Sequence, residues 1–214
     1  MAAPTLIYCA DGNRRLAQIA IDAGYKYGAR LPGTIYHPIY FADQDWKKPD
    51  RNAYMSALAT HRPYMATVLD LEDTGQLDEV LSWAEDAARY VEVVLIIPKV
   101  QGIISKLPRD VGGAEIRLAY SVPTKYGGTE LPLWDFYDWP VHLLGGSPNN
   151  QMEVARYLDT TSIDGNYHNL KATKFCEYWD DGRWLSITPK QDDAIYEAFR
   201  RSCVNIWEAW HETV

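Results

Sequence analysis

Short apolar runs alternate with stretches of helical periodicity along this chain, and that alternation restricts the fold more than any other feature. Strands buried on both faces read as continuous apolar runs, and parallel neighbours need long crossovers between them. The runs are TLIYCA (5–10), TIYHPIYFA (34–42), MATVLDL (65–71), VEVVLII (91–97), EIRLAYSV (115–122), PVHLLG (140–145) and TTSI (160–163). Leu77, Val80, Leu81, Ala84, Ala88 and Val91 recur at 3.6-residue spacing and define one helix face that should pack on a sheet. NRRLAQIAIDAGYKYGAR reads as a helix with Leu16, Ile19, Ala20 and Ala23 on one side, closed by Gly24 or Gly28 as a left-handed cap. Near the other end, Thr188 as N-cap, Pro189 at the first helical position and Gln191 in a capping box open a helix. Ile195, Phe199, Ile206 and Trp210 give that helix an apolar side, so it should dock on the body.

A parallel sheet of this kind is either open and doubly wound or closed into a barrel. Polar residues follow nearly every apolar run: Asp11, Asp43, Asp70 with Glu72, Lys99, Ser121, Gly145–Gly146–Ser147 and Asp164. A barrel gathers these strand ends on one face, where the active sites of such barrels lie, whereas an open sheet strings them along an edge. The expected class is therefore α/β, a (β/α)8-like (TIM-type) barrel. No eighth strand is evident, so the barrel is expected to be incomplete unless one is hidden. A single domain over 1–214 is expected, with the barrel core over 1–187 and the C-terminal helix over 188–214. Closure would set the first and last strands side by side. The two DGN tripeptides, one holding Asp11 and the other Asp164 and Asn166, would then share one mouth.

Composition narrows the chemistry. The 214 residues carry a formal net charge of −8, which counts against extended nonspecific grip on a phosphate backbone. No apolar run nears the roughly 20 residues that span a bilayer, and the opening MAAPTLIYCADG lacks the basic start of a secretory signal. Cys9, Cys176 and Cys203 are odd in number and widely spaced, fitting a reducing cytoplasm and offering no zinc-type pair. No metal, cofactor or membrane is implied.

The strand ends suggest roles, each with a plainer alternative. In VHLLGGSPNNQMEVARYL, Ser147 and Pro148 open a helix after a glycine pair. This is a tight turn alone, or a turn whose free N–H groups receive a ligand or phosphate. In VLDLE, Asp70 and Glu72 point to one side of a strand. They either lead into the next helix or accept from the N–H groups of a heterocyclic base; a pair of acids also suits glycoside hydrolysis. Asp43 in YFADQDW is a turn former or a general acid/base. Lys99 snorkels or binds, Tyr120 and Ser121 stand at the rim, and Tyr126 lies in a loop able to stack on a ring. Asp164 in TTSIDGN either forms an Asp-Gly turn or attacks an anomeric carbon. His142 and His168 have no metal-ligand spacing and read as satisfied or exposed.

In order and placement these segments resemble the tRNA-guanine transglycosylase superfamily, and more closely its phage and bacterial branch that inserts 7-deazaguanine bases into DNA. PIYFAD is similar to the strand ending in that family's first active-site aspartate, and TVLDLE to the strand carrying its base-recognition aspartate. VHLLGGSP followed by SIDGN resembles the Leu-Gly-Gly-type turn and the nucleophilic aspartate. The resemblance spans roughly 34–170. It implies Asp43 as acid/base, Asp70 as base-recognition group, Gly145 and Gly146 as the turn bordering substrate, and Asp164 as nucleophile. The Cys/Cys/Cys/His zinc site of the tRNA enzymes has no counterpart in this spacing, and Asp43-Gln44-Asp45 stands where the family has Asp-Ser-Gly.

The expected function is thus exchange of guanine for a 7-deazaguanine base in DNA through an aspartyl–sugar intermediate. Asp164 and Asp43 would be catalytic. Asp70, Glu72, Lys99, Tyr120, Ser121, Gly145, Gly146, Ser147, Asn166 and Asp11 would surround the substrate. DNA would be gripped with help from a dimer or partner protein, in the cytoplasm of a cell or of a phage's host. The rivals are a non-catalytic nucleobase- or nucleotide-binding barrel or partner subunit, and a nucleoside or glycoside hydrolase using Asp70 and Glu72.

Overall fold

The computed structural model describes residues 3–10, 13–124, 127–187 and 193–212. It begins with β1 (Thr5–Cys9), α1 (Arg14–Asp22), β2 (Lys26–Leu31), β3 (Phe41–Gln44), α2 (Arg51–His61), β4 (Met65–Leu71), α3 (Leu77–Ala87) and β5 (Val93–Pro98). A short β6 (Asp110–Val111) folds back on β7 (Ala114–Ser121); β8 (Pro140–Leu144), α4 (Pro148–Ala155), β9 (Asp159–Asp164) and α5 (Tyr167–Phe175) follow. The hairpin β10 (Glu177–Asp180) and β11 (Arg183–Ser186) and the long α6 (Ala194–His211) finish the described chain. β1 to β5 pair in sequence order, β5 pairs β7 in parallel, and β7, β8 and β9 lead back to β1. The sheet is a closed barrel of eight parallel strands with helices around it, a TIM-like α/β fold. Closure is therefore complete.

The strand that sequence reading did not find is β2, hidden in what reads as the tail of the first helix. Gly24 takes φ +97° and stops α1 there, so Lys26–Leu31 is free to extend. Tyr27, Ala29 and Leu31 are buried in the layer between sheet and helices. Gly28 faces the other way, and a Cβ on it would lie 2.9 Å from Phe41 Cδ1 and 3.0 Å from Ile7 Cγ2. Its role is to let the barrel close tightly, not to cap a helix. The run 34–42 is corrected as well: only Phe41–Gln44 is strand, and 32–40 crosses from β2 to β3 without a helix. Pro38 within that run supplies no ladder donor.

Two apolar layers result. Ile7, Phe41, Met65, Val93, Leu95, Ile97 and Ala119 fill the barrel interior. The outward strand faces meet Leu16, Leu58, Trp83 and Phe199 of the surrounding helices. On α6 the buried side is Ala198, Phe199, Ser202, Cys203 and Ile206, so the helix docks as expected, with Ile195 nearer its border. The expected cap at Thr188, Pro189 and Gln191 lies outside the described residues. The hairpin was not foreseen. Asp181 and Gly182, both at positive φ, make its two-residue turn, and Ser202 Oγ receives the Trp179 N–H at 2.9 Å to fix it on α6.

Replacing Gly28 by valine should overfill the barrel at its narrowest point. Urea unfolding is expected to show a loss of about 1–3 kcal/mol with unchanged slope. An unmoved midpoint would contradict the tight approach of β2 to Ile7 and Phe41.

Candidate active site

The carboxyl ends of the strands open onto one cleft of about 460 Å³. Asp43 ends β3, Asp70 lies near the end of β4, Lys99 follows β5, Ser121 ends β7, and Gly145 and Gly146 follow β8. All of these residues line the cleft, together with Glu72. A register shift between Thr67 and Asp70 re-aims the end of β4, and the Lys99 N–H donates to Leu71 O at 2.9 Å to hold β5 against it.

Asp43 is the most perturbed carboxyl here. Thr67 Oγ1 donates to its Oδ1 at 3.1 Å and itself accepts the Gln44 N–H at 2.8 Å, fixing the side chain across β3 and β4. Burial pushes the Asp43 pKa up to about 7, and the negative charges of Asp164 and Asp70 add to the rise. The Thr67 hydrogen bond and the Arg30 guanidinium oppose it. Asp70 is also raised, first by burial and then by Glu72, against the pull of Lys99, whose Nζ lies 3.8 Å from Asp70 Oδ2. The Asp43 carboxyl can therefore hold and release a proton near neutrality.

Asp164, at the end of β9, sits behind the Gly145–Gly146 turn. The Gly145 N–H donates to its Oδ1 at 3.0 Å, and its side chain is only 12% exposed. Gly145 takes φ +67° and Gly146 φ +84°, and a Cβ on Gly146 would lie 2.6 Å from Val122 Cγ1. The glycine pair is thus required by the turn that delivers this donor. Gln151 on α4 locks the turn, its Nε2 donating to Gly145 O at 2.7 Å and Asp164 O at 2.8 Å. Below, His142 is fully buried, with Nδ1 2.9 Å from Ser162 Oγ and Nε2 3.4 Å from Asp164 Oδ1.

Four described residues of the expected site do not line the cleft: Asp164, which borders a small separate cavity behind the glycine turn, and Tyr120, Ser147 and Asn166. Tyr120 points outward from β7 and packs edge-on against Phe136, its ring centre 5.1 Å away. Ser147 spends its hydroxyl capping α4, accepting the Asn150 N–H at 3.3 Å. Asn166 is exposed at the start of α5. Asp11 and Tyr126 lie outside the described residues. Sequence reasoning missed Trp46, Thr67, His142 and Gln151. Trp46 was within a quoted motif, and it lines the cleft while 67% exposed. Strand parity with Asp164 pointed to Ser162; His142 needed the β8–β9 register, which pairs it with Ser162. His168 is buried too, stacked on Phe199, and burial lowers its pKa to about 4.

Among the described residues no group of three or more His, Cys, Asp or Glu is placed to hold a metal ion, and no helix is long and apolar enough to cross a membrane. The chain belongs to the family of unknown function DUF6610, whose profile matches residues 20–211. No curated protein matches it.

The raised Asp43 pKa makes a stability prediction. Its folded value exceeds the ordinary 3.8, so the folded state holds the proton longer. Stability falls as pH rises through about 4 to about 7, and below that range nothing is lost. Asp43→Asn should therefore be more stable than the parent at pH 8, by about 1–3 kcal/mol, with the gap closing by pH 4. Urea titrations across that range check it; a pH-independent gap would contradict the assignment.

Proposed function

We propose that this barrel exchanges a purine-type base on a nucleic-acid sugar, taking out guanine and installing a 7-deazaguanine base in DNA. The observation that carries the reading is that acids of β3 and β4 line one cleft, with Asp43 raised to about 7 by burial and by the charge of Asp164 behind the glycine turn. Pairs of acids with divided roles are what sugar-transfer chemistry uses. The order of these residues along the chain, and their resemblance to the transglycosylase superfamily, selects base exchange within that chemistry.

In this mechanism a carboxylate oxygen of Asp164 attacks C1′ of the deoxyribose. The C1′–N9 bond breaks, its electron pair leaves with guanine, and the Asp43 carboxyl gives the departing base its proton. The incoming 7-deazaguanine base then loses its ring N–H proton to Asp43. Its freed nitrogen attacks C1′, and the C1′–O bond to Asp164 breaks. Both acids return to their starting states, and no cofactor is consumed. Asp70 accepts from the N–H edge of the base, Lys99 donates to its carbonyl, and Trp46 covers its face. Lys47 and Lys48 beside Trp46 offer a small basic rim for phosphate. With a net charge of −8, firm hold on DNA falls to a second copy or a partner protein.

The test incubates the protein with DNA carrying labelled guanine and with a 7-deazaguanine base, then analyses the deoxynucleosides by mass spectrometry. A new 7-deazadeoxyguanosine and released label are expected, and Asp164→Asn should reduce exchange by at least about 10³-fold while its thermal melt stays cooperative. Free base or sugar without replacement would make the protein a hydrolase. Tight base binding without turnover would make it a binding barrel. Trp46→Ala should raise KM for the base about 10-fold or more with little change in kcat.

A further inference from the structure

The buried pair Ser162 and His142, beside Asp164, has no role in the reaction as written above. Its geometry is specific. His142 on β8 and Ser162 and Asp164 on β9 all point into the barrel, and the register pairs His142 with Ser162. Both groups that reach the Asp164 carboxylate, the Gly145 N–H at 3.0 Å and His142 Nε2 at 3.4 Å, address the same oxygen, Oδ1. Among the described residues none donates a hydrogen bond to Oδ2. Oδ1 is therefore held by the Gly145 N–H, with the unpartnered His142 Nε2 close beside it.

Which proton His142 carries follows from its neighbours. A bare Nε2 facing a carboxylate would set two lone pairs against each other in a water-poor interior. A protonated Nε2 faces it favourably, and the Ser162 hydroxyl then donates to Nδ1 at 2.9 Å. The ring edge toward β3 is covered by Phe41, with ring centres 5.2 Å apart, so no competing polar group enters there. A structural histidine in an apolar barrel needs no carboxylate. This one is fully buried, and its second nitrogen, which makes no hydrogen bond in the structure, lies 3.4 Å from Asp164 Oδ1.

We propose that His142 is a positioning residue for Asp164: with its tautomer set by Ser162, it presents an Nε2 proton to Oδ1 and so aims Oδ2 at the sugar carbon. The inference deepens the base-exchange reading and rests on it. Its effect is on the carboxylate's orientation as bond-former and leaving group, so kcat should respond and base affinity should not.

Two measurements test it. Long-range proton–nitrogen NMR of the nitrogen-15 histidine-labelled full chain, with His142→Gln for assignment, reads the tautomer without any substrate. A proton on Nε2 is expected, and a bare Nε2 with the proton on Nδ1 alone overturns the proposal. In the exchange assay His142→Leu should lower kcat about 100-fold with KM for the base nearly unchanged, and His142→Gln, whose amide restores a donor, should recover to within about 10-fold of the parent. Equal losses in the two variants would also overturn it. If the parent exchanges no base at all, the functional reading fails, and the tautomer alone still decides whether His142 holds Asp164.

Discussion

The parallel pairing of β1 with β9, Thr5 to Ser162 and Ile7 to Asp164, joins the two ends of the sheet and makes it a barrel. Everything at the cleft depends on that seam. Without it, Asp164 would lie on an open edge, far across the sheet from Asp43, and water would reach both. With it, β9 stands beside β1, and the acids at the ends of β3, β4 and β9 face a common centre. The small residues at the narrowest level, Gly28 and Ala119, let the ring draw tight around Ile7 and Phe41. Below the cleft the interior is largely apolar, with His142 and Ser162 as buried polar members, and burial raises the pKa of Asp43 and Asp70.

Gathering like charges has a cost, and the fold distributes it. Each acid has a complement supplied by a different part of the barrel: Thr67 for Asp43, Lys99 for Asp70, and the Gly145 N–H for Asp164. Asp43 remains the least compensated, since burial and two neighbouring acids outweigh Thr67 and Arg30. That imbalance separates the roles. One acid keeps a proton near neutrality, while another is held by a main-chain donor at one oxygen. The turn that presents the Gly145 N–H is tied by Gln151 from α4 to the ends of both β8 and β9.

Much of this was legible in the sequence because the signals were local. Continuous apolar runs marked β1, β4, β5, β7, β8 and β9, and the polar residues at the ends of β4, β5, β7 and β8 marked the cleft, whereas Asp11 lies outside the described residues and Asp164 behind the glycine turn. The strand β2 was not legible, since KYGARL alternates polar and apolar residues and includes a glycine, as a helix end does too. Ser147–Pro148 was read correctly as a helix start, and nothing in its spacing told whether the hydroxyl would cap or bind; it caps. Tyr120 and Ser121 illustrate parity: adjacent residues on one strand face opposite sides, and only Ser121 reaches the cleft. His142 and Gln151 act through partners on other elements, and pairings of that kind depend on register that no short motif carries.

The central physical claim is that barrel closure brings Asp43 and Asp164 near enough to sense each other's charge. Carbon-13 NMR titration of the Asp43 carboxyl reads this directly, in the parent and in Asp164→Asn. The structure predicts a midpoint near 7 in the parent and a clear fall in the variant, as a neighbouring negative charge is removed. An ordinary carboxylate midpoint for Asp43, unmoved by the change at Asp164, would contradict this proximity.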